Sequence, residues 1–216
     1  ATITSLTSLS LNKNNRGAFE IGALHILRNL IHLQSLDLSW NKLTDKHVSF
    51  LADLTRLTTL NLEMNDLSTG SMLSDMMSLT NLNLAENEFD ESEAWKFNNL
   101  MLISLDVSGN DVTECCLRGL SSIKHLKMAE IEICIKDLSD SFKTFRKLIT
   151  LDISHNKVRD IKARTIANNL CDLPHLKEVD MAANELTDKS AASLQVLARI
   201  SRLVLRQNLF SVEGLR

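Results

Sequence analysis

The pattern L-x-x-L-x-L-x-x-N-x-L at Leu33 to Leu43 returns in phase along the chain, and it constrains the fold more than any other feature. Its first letter recurs at Leu57, Leu79, Leu102, Leu148, Leu176 and Ile200. A looser copy begins at Leu6, and one at Ile123 lacks the asparagine. Steps of 27, 24, 22, 23, 21, 25, 28 and 24 residues separate these nine copies. A period of this size implies units that pack only on their neighbours, so that size follows copy number. Residues 1–216 are expected to form one domain, because six Gly and one Pro leave no linker of the usual composition. The start at Ala1 and the unfinished last copy at Ser211 to Arg216 point to a piece of a larger protein.

One unit can be read residue by residue. In Ser35-Leu36-Asp37-Leu38-Ser39 apolar and polar residues alternate with period two, the mark of a half-buried strand. Leu36 and Leu38 face inward; Ser35, Asp37 and Ser39 face out. Asn41 stands at the following turn, with one acceptor and two donors to offer the backbone. Helical spacing then takes over. Thr44 or Asp45 can cap a helix whose Val48, Leu51 and Leu54 share a face, and Thr187 and Asp188 precede Ala191, Leu194 and Leu197 in the same way. Ala18, Ile21, Leu24, Leu27 and Leu30 predict an amphipathic helix in the first repeat. The 21-residue step with Cys115, Cys116, Leu117 and Leu120 has room for only about two helical turns.

The chain resembles the leucine-rich repeat family over essentially its whole length. Seven well-formed copies in phase are a specific signal, and repeats two and eight share the longer strings Asn41-Lys-Leu-Thr-Asp-Lys46 and Asn184-Glu-Leu-Thr-Asp-Lys189. The resemblance implies an α/β fold: a right-handed solenoid of about nine repeats, with a parallel sheet on the concave face and helices of variable length on the convex face. It also implies that Asn14, Asn41, Asn65, Asn87, Asn110, Asn156, Asn184 and Asn208 form a buried ladder. Convex helices of variable length resemble the ribonuclease-inhibitor-like branch, and the irregular steps also fit microbial members. In the sixth repeat Ile131 stands where asparagine is expected. Either the ladder tolerates it with other partners, or the repeat is locally distorted.

Composition narrows the function classes. The net charge of −3 and the absence of a Lys/Arg-rich run argue against a nucleic-acid binder. No apolar run is long enough to span a bilayer. Aromatic residues make up 4% of the chain, with no Tyr, so the core is expected to be aliphatic. Cys115, Cys116, Cys134 and Cys171 form no C-x-x-C pair and are read as free thiols, with no metal site and no cofactor. Together with the lack of an N-x-S/T sequon, this leans toward a reducing, cytoplasmic setting. A bacterial effector delivered to a host cytosol is the alternative. Six scattered histidines and the absence of hydrolase, phosphate-loop or zinc-protease motifs give no catalytic residues, and the chain is read as a non-enzyme.

What remains is the outward face of the strands. Trp40 and Met64 occupy the slot before the asparagine in adjacent repeats, where an aromatic and an adaptable thioether can anchor a protein partner. Alternatively, Trp40 folds onto its own loop. The middle outward column carries Asp37, Asp106, Asp152 and Asp180, interrupted by Lys127. It can attract a basic segment, or it can be a plain solvated face, since Asp is frequent there in the family. Arg202 and Arg206 make the last repeat basic, so charge varies along the face and can orient a partner. The candidate partner-binding set is Asp37, Trp40, Glu63, Met64, Glu86, Asp106, Lys127, Asp152, His155, Asp180, Arg202 and Arg206. The resemblance implies a protein–protein interaction module, monomeric, binding a protein partner on its concave face. The alternatives are a substrate-recognition or regulatory arm of a larger enzyme or effector, and a structural spacer.

Overall fold

A computed structural model describes residues 5–14, 20, 22–90, 100–112, 117, 119–131, 133 and 142–213. Contacts group the chain into two compact units, Ala1–Val112 and Thr113–Arg216. The first unit carries strands β1 (Ser8–Ser10), β2 (Ser35–Asp37), β3 (Thr59–Asn61), β4 (Asn81–Asn83) and β5 (Ser104–Asp106). The second carries β6 (His125–Lys127), β7 (Thr150–Asp152), β8 (Glu178–Asp180) and β9 (Arg202–Val204). Within each unit neighbouring strands pair in parallel and in the register of the sequence repeat: Leu36 opposite Leu60, Leu60 opposite Leu82, Leu126 opposite Leu151 and Leu151 opposite Val179. The fold class is the α/β repeat architecture expected.

Each strand is only three residues long because one inward side chain per repeat is enough to seat it. Leu36, Leu60 and Leu105 are each 1% exposed, and the following Leu38, Leu62 and Val107 are equally buried. Asn41, Asn65, Asn87, Asn110, Asn156 and Asn184 are buried polar groups, a costly placement unless every group is paired. They are paired. Asn65 Oδ1 accepts from Asn41 N at 3.1 Å and Leu43 N at 2.9 Å. Its Nδ2 donates to Leu38 O and Leu62 O. Asn87, Asn110, Asn156, Asn184 and Asn208 repeat this role, each reaching the carbonyl of the preceding repeat. Ile131 is buried in the ladder position and keeps its backbone paired, its N–H donating to Asn156 Oδ1 at 2.9 Å.

The return segments differ from the helices expected. In the first repeat the described part, Ala23–Asn29, is a 3₁₀ helix, with Leu24 and Leu27 buried and Leu30 half-buried. Ala18 and Ile21 lie outside the described residues, as do Cys115, Cys116 and Cys134. Spacing of three fits a 3.0-residue turn as well as a 3.6-residue one, which is why the sequence did not separate them. The second repeat holds one α turn, α1 (Asp45–Val48), continued as 3₁₀ through Ser49–Asp53. His47 Nδ1 closes its start: it accepts from Thr44 N at 3.1 Å and lies 2.9 Å from Thr44 Oγ1. The 28-residue step has space for α2 (Arg159–Cys171), which buries Ala163, Ile166, Ala167 and Leu170 on one face. Arg199 donates to Leu170 O and Leu173 O at its C-terminal end, where a cation suits the exposed carbonyls. Next comes α3 (Asp188–Leu194), capped by Thr187, whose Oγ1 accepts from Lys189 N.

A second set of rungs runs along the helix starts. Asp45 accepts from Ser68 Oγ and Thr69 N, Asp160 from Thr187 Oγ1 and N, and Asp188 from Ser211 Oγ and N. Each carboxylate thereby ties its own repeat to the hydroxyl and backbone of the next.

Candidate partner-binding face

Two local rules shape the exposed face. The first concerns the middle outward residue. Asp37 Oδ1 accepts from Ser39 N at 2.9 Å and Ser39 Oγ at 2.7 Å. The carboxylates of Asp106, Asp152 and Asp180 accept from the N–H two residues on, and the amide oxygens of Asn61 and Asn83 do the same. This is the Asx bond, which turns the backbone out of the strand and competes with further pairing. The acidic column therefore has a structural cause: an oxygen is required there, and Asp and Asn both supply it. A charge is not required, and one oxygen of Asp37, Asp106, Asp152 and Asp180 is spent on the turn.

The second rule concerns the slot before the asparagine. Lys13, Trp40, Met64, Glu86, Glu130, His155, Ala183 and Gln207 have φ between 51° and 61°, and Gly109 has φ 65°. Left-handed backbone disfavours side chains other than glycine by about 1–2 kcal/mol. The conformation is held because each N–H donates across to the next repeat: Trp40 N to Glu63 O at 2.8 Å, Met64 N to Ala85 O at 2.9 Å, His155 N to Ala182 O at 2.9 Å. The turn lifts these side chains away from the core. Trp40 is 44% exposed. Lys13 Nζ lies 4.7 Å from the centroid of its ring.

The small residue between these two positions is not outward. Ser39, Ala85, Ser154 and Ala182 are buried, because the Asx bond draws this residue's N–H inward before the left-handed turn begins. Glu63 is half-buried at this position, with Oε2 accepting from Asn83 Nδ2 at 3.0 Å, and Arg206 is exposed.

The twelve candidate residues divide between the units. In the first unit, registered strands place Asp37 and Asp106 in one outward column with Asn61 and Asn83, and Glu63 and the Trp40, Met64 and Glu86 slots follow the strands. Asp37, Glu63, Met64 and Asp106 are half-buried and Glu86 is exposed. In the second unit Lys127, Asp152 and Asp180 are direct register neighbours, and with Glu178 and Arg202 they line a shallow depression of about 250 Å³. Arg202 Nη1 lies 3.6 Å from Glu178 Oε2, and His155 Nδ1 lies 3.9 Å from Glu130 Oε1. Sequence reasoning passed over Lys13, Glu130 and Glu178 as contributors. The signal was present, since each occupies an outward column one repeat away from a chosen residue.

Among the described residues no group of three or more His, Cys, Asp or Glu side chains could hold a metal ion, and no helix is long and apolar enough to cross a membrane. Cys171 is a free thiol, with Sγ 3.0 Å from Asn168 O. Burial first, and then the neighbouring Asp172 carboxylate, push its pKa up, so it stays protonated and poorly nucleophilic at neutral pH.

Comparison with known proteins agrees with this geometry. The family model described as Leucine Rich repeat matches residues 29–52 and 172–194. Human "Leucine-rich repeats and immunoglobulin-like domains protein 1" is 28% identical over 76% of the chain, and lumican of Gallus gallus is 30% identical over 71%. The chain spans only 16% and 38% of those two proteins. Among solved structures, an internalin of Listeria monocytogenes superposes with a TM-score of 0.69 at 19% identity. It covers 98% of this chain and 64% of its own, a likeness of fold alone. Internalin C2 of the same species gives a TM-score of 0.66 at 26% identity, covering 92% and 80%. With three-residue parallel strands in register within each unit, a side-chain asparagine ladder and these matches, the chain is a leucine-rich repeat protein.

Proposed function

We propose that this protein is a recognition module that binds a partner protein across the exposed faces of its parallel strands. The observation that carries the reading is the left-handed slot. From Lys13, Trp40, Met64 and Glu86 in the first unit to Glu130, His155 and Ala183 in the second, the slot's N–H is bonded to the next repeat while its side chain is turned away from the core. A chain built this way offers a row of pre-positioned side chains at a spacing of about 4.8 Å, so little ordering entropy is lost when a partner docks. The residue types in the row, from Trp40 and Met64 to Glu86 and His155, are chemically unlike one another, as a recognition surface needs and a uniform spacer does not.

Site-specific photo-crosslinking tests this. A benzophenone side chain placed at Met64 or His155 is expected to capture a partner from the native source. The same group at Ile161, an exposed position on α2, is expected to capture little. Crosslinks confined to Ile161 would move the interaction to the helical side and end the proposal.

A further inference from the structure

The first unit's face is specialised by charge and by one aromatic ring. On its outward strand positions, its left-handed slots and the position between them, Lys13 stands against Asp37, Glu63, Glu86 and Asp106. In the row just after the asparagines, Lys42 stands against Asp66, Glu88 and Asp111. The excess of carboxylates is therefore local to this unit. In the second unit Lys127, Arg202 and Arg206 offset Glu130, Asp152, Glu178 and Asp180. Within the acidic field of the first unit sits the exposed indole of Trp40, and an ammonium group already rests on it: Lys13 Nζ, 4.7 Å from the ring centroid. Asp37 lies three residues before Trp40, and the Glu63 carbonyl accepts the Trp40 N–H at 2.8 Å. Each has spent part of its carboxylate on intramolecular bonds, Asp37 on Ser39 and weakly on Ser10, Glu63 on Asn83. Among the described residues, neither carboxylate forms an ion pair.

We propose that the sheet face of the first unit docks an extended basic segment of a partner protein, with an arginine side chain received by the Trp40 indole and the carboxylates of Asp37 and Glu63, and that Lys13 is the internal occupant of that cation position. The proposal rests on the sheet-face reading above and adds the chemistry of the partner. A planar guanidinium suits the site better than an ammonium, because it stacks on an aromatic face and offers a fork of donors to carboxylates at once. A second copy of this chain docking face to face would oppose like charges, and an anionic lipid surface would be repelled. Lys13 holds the position weakly, since it is exposed and lies at the end of a flexible stem. An incoming arginine displaces it, or takes the opposite ring face once the ammonium swings away.

The probe is a hexa-arginine peptide, with hexaglutamate as control. Binding is read by NMR at the Trp40 indole N–H, assigned by its loss in Trp40→Phe. Hexa-arginine is expected to shift this signal and hexaglutamate to leave it in place. Trp40→Gly, a substitution the left-handed φ of 61° favours, keeps the fold. Its binding, followed by calorimetry, is expected to fall about fivefold, and Lys13→Ala is expected to tighten binding roughly two- to fivefold. Asp37→Asn and Glu63→Gln are expected to weaken it with unchanged melting temperature. Equal affinity in Trp40→Gly and the parent overturns the proposal, as does Lys13→Ala binding no better than the parent. Self-association abolished by the pair Arg202→Glu and Arg206→Glu also overturns it and places a second copy there. If crosslinks from Met64 capture a partner while hexa-arginine ignores Trp40, this inference fails and the broader reading stands.

Discussion

Asn156 Oδ1 accepts the Ile131 N–H at 2.9 Å, so the sixth repeat, with no ladder asparagine of its own, is still tied to the seventh by that repeat's amide. The same side chain donates to Met128 O at 2.7 Å and Ser154 O at 3.1 Å. Asn156→Ala takes the partner from the Ile131 N–H and Met128 O, whereas Ser154 O keeps the Glu130 N–H at 3.2 Å; the cost is about 1–3 kcal/mol for each buried group that finds no water. Urea denaturation is expected to show a loss of at least about 2 kcal/mol, near the low end of that sum. Elsewhere in the ladder one carbonyl serves two asparagines, as Leu38 O does for Asn41 and Asn65. An asparagine at position 131 could share Met128 O in the same way, so Ile131→Asn is expected to melt above Ile131→Ala. The reverse order would show that the sixth repeat cannot take a ladder amide.

The Asx rule makes a prediction that separates shape from charge. Asp37→Asn and Asp152→Asn keep the required oxygen, as Asn61 and Asn83 do naturally. Their stability is expected to match the parent. Asp37→Ala and Asp152→Ala lose the bond and are expected to cost about 0.5–1.5 kcal/mol each. Equal melting of the Asn and Ala variants would remove the structural account of the column.

Gly109 offers a coupled test. A Cβ built there falls 2.5 Å from Glu86 Oε1 and 2.6 Å from its Cδ, at a φ of 65°. Gly109→Ala is expected to destabilise by about 1–2 kcal/mol, part of it backbone and part of it displacement of Glu86. In the double variant with Glu86→Ala the second part vanishes, so the two changes are expected to be non-additive in a double-mutant cycle. Strict additivity would mean that the backbone carries the whole cost.

Acid stability follows from the aspartate rungs at the helix starts. Burial alone would raise the Asp160 carboxyl, but hydrogen bonds from Thr187 and Ser190 and the nearby Lys189 charge together hold it below its ordinary 3.8. Asp188 is likewise lowered, by the Ser211 hydroxyl and N–H. A carboxyl lowered in the folded state stabilises the fold above its unfolded pKa, and that contribution is lost as pH falls through the folded value. Stability is thus expected to fall below about pH 4, the region of the ordinary carboxylate pKa. Asp160→Asn is expected to flatten that fall in chemical denaturation run from pH 5 to pH 3. An unchanged slope would count against the Thr187 rung.

The inward leucines test the core directly. Leu36→Ala and Leu60→Ala are each expected to cost about 2–5 kcal/mol in thermal or urea unfolding, because both side chains are fully enclosed. Parent-like melting of either would contradict the strand orientation.

The strands and the ladder were legible because their cause is local. Period-two alternation fixes which side of Leu36 or Leu151 faces the core, and a buried asparagine at constant offset needs neighbours on both sides. The left-handed slot was hidden because Lys13, Trp40 and Met64 are not residues associated with positive φ, and only Gly109 and His155 hinted at it. The acidic column was visible but its cause was not. An Asx bond is invisible until Asn61 and Asn83 are recognised as equivalent to Asp37. The 3₁₀ return at Ala23–Asn29 was misread for the geometric reason given above. Within the candidate site, the exposure of Trp40 followed from its position, whereas the lysine on its ring required coordinates.

The asparagine rungs join only consecutive repeats; the longest of those described, from Asn184 Nδ2 to Ile153 O, spans 31 residues of chain. Long-range closure is therefore absent from the ladder, and each rung can form as soon as two successive repeats have left the ribosome. Within a unit, folding can nucleate on any well-formed pair and spread outward. Pulled from one end, such a unit is expected to surrender one repeat at a time, with the repeat carrying Ile131, short of one amide, the place where the force trace dips.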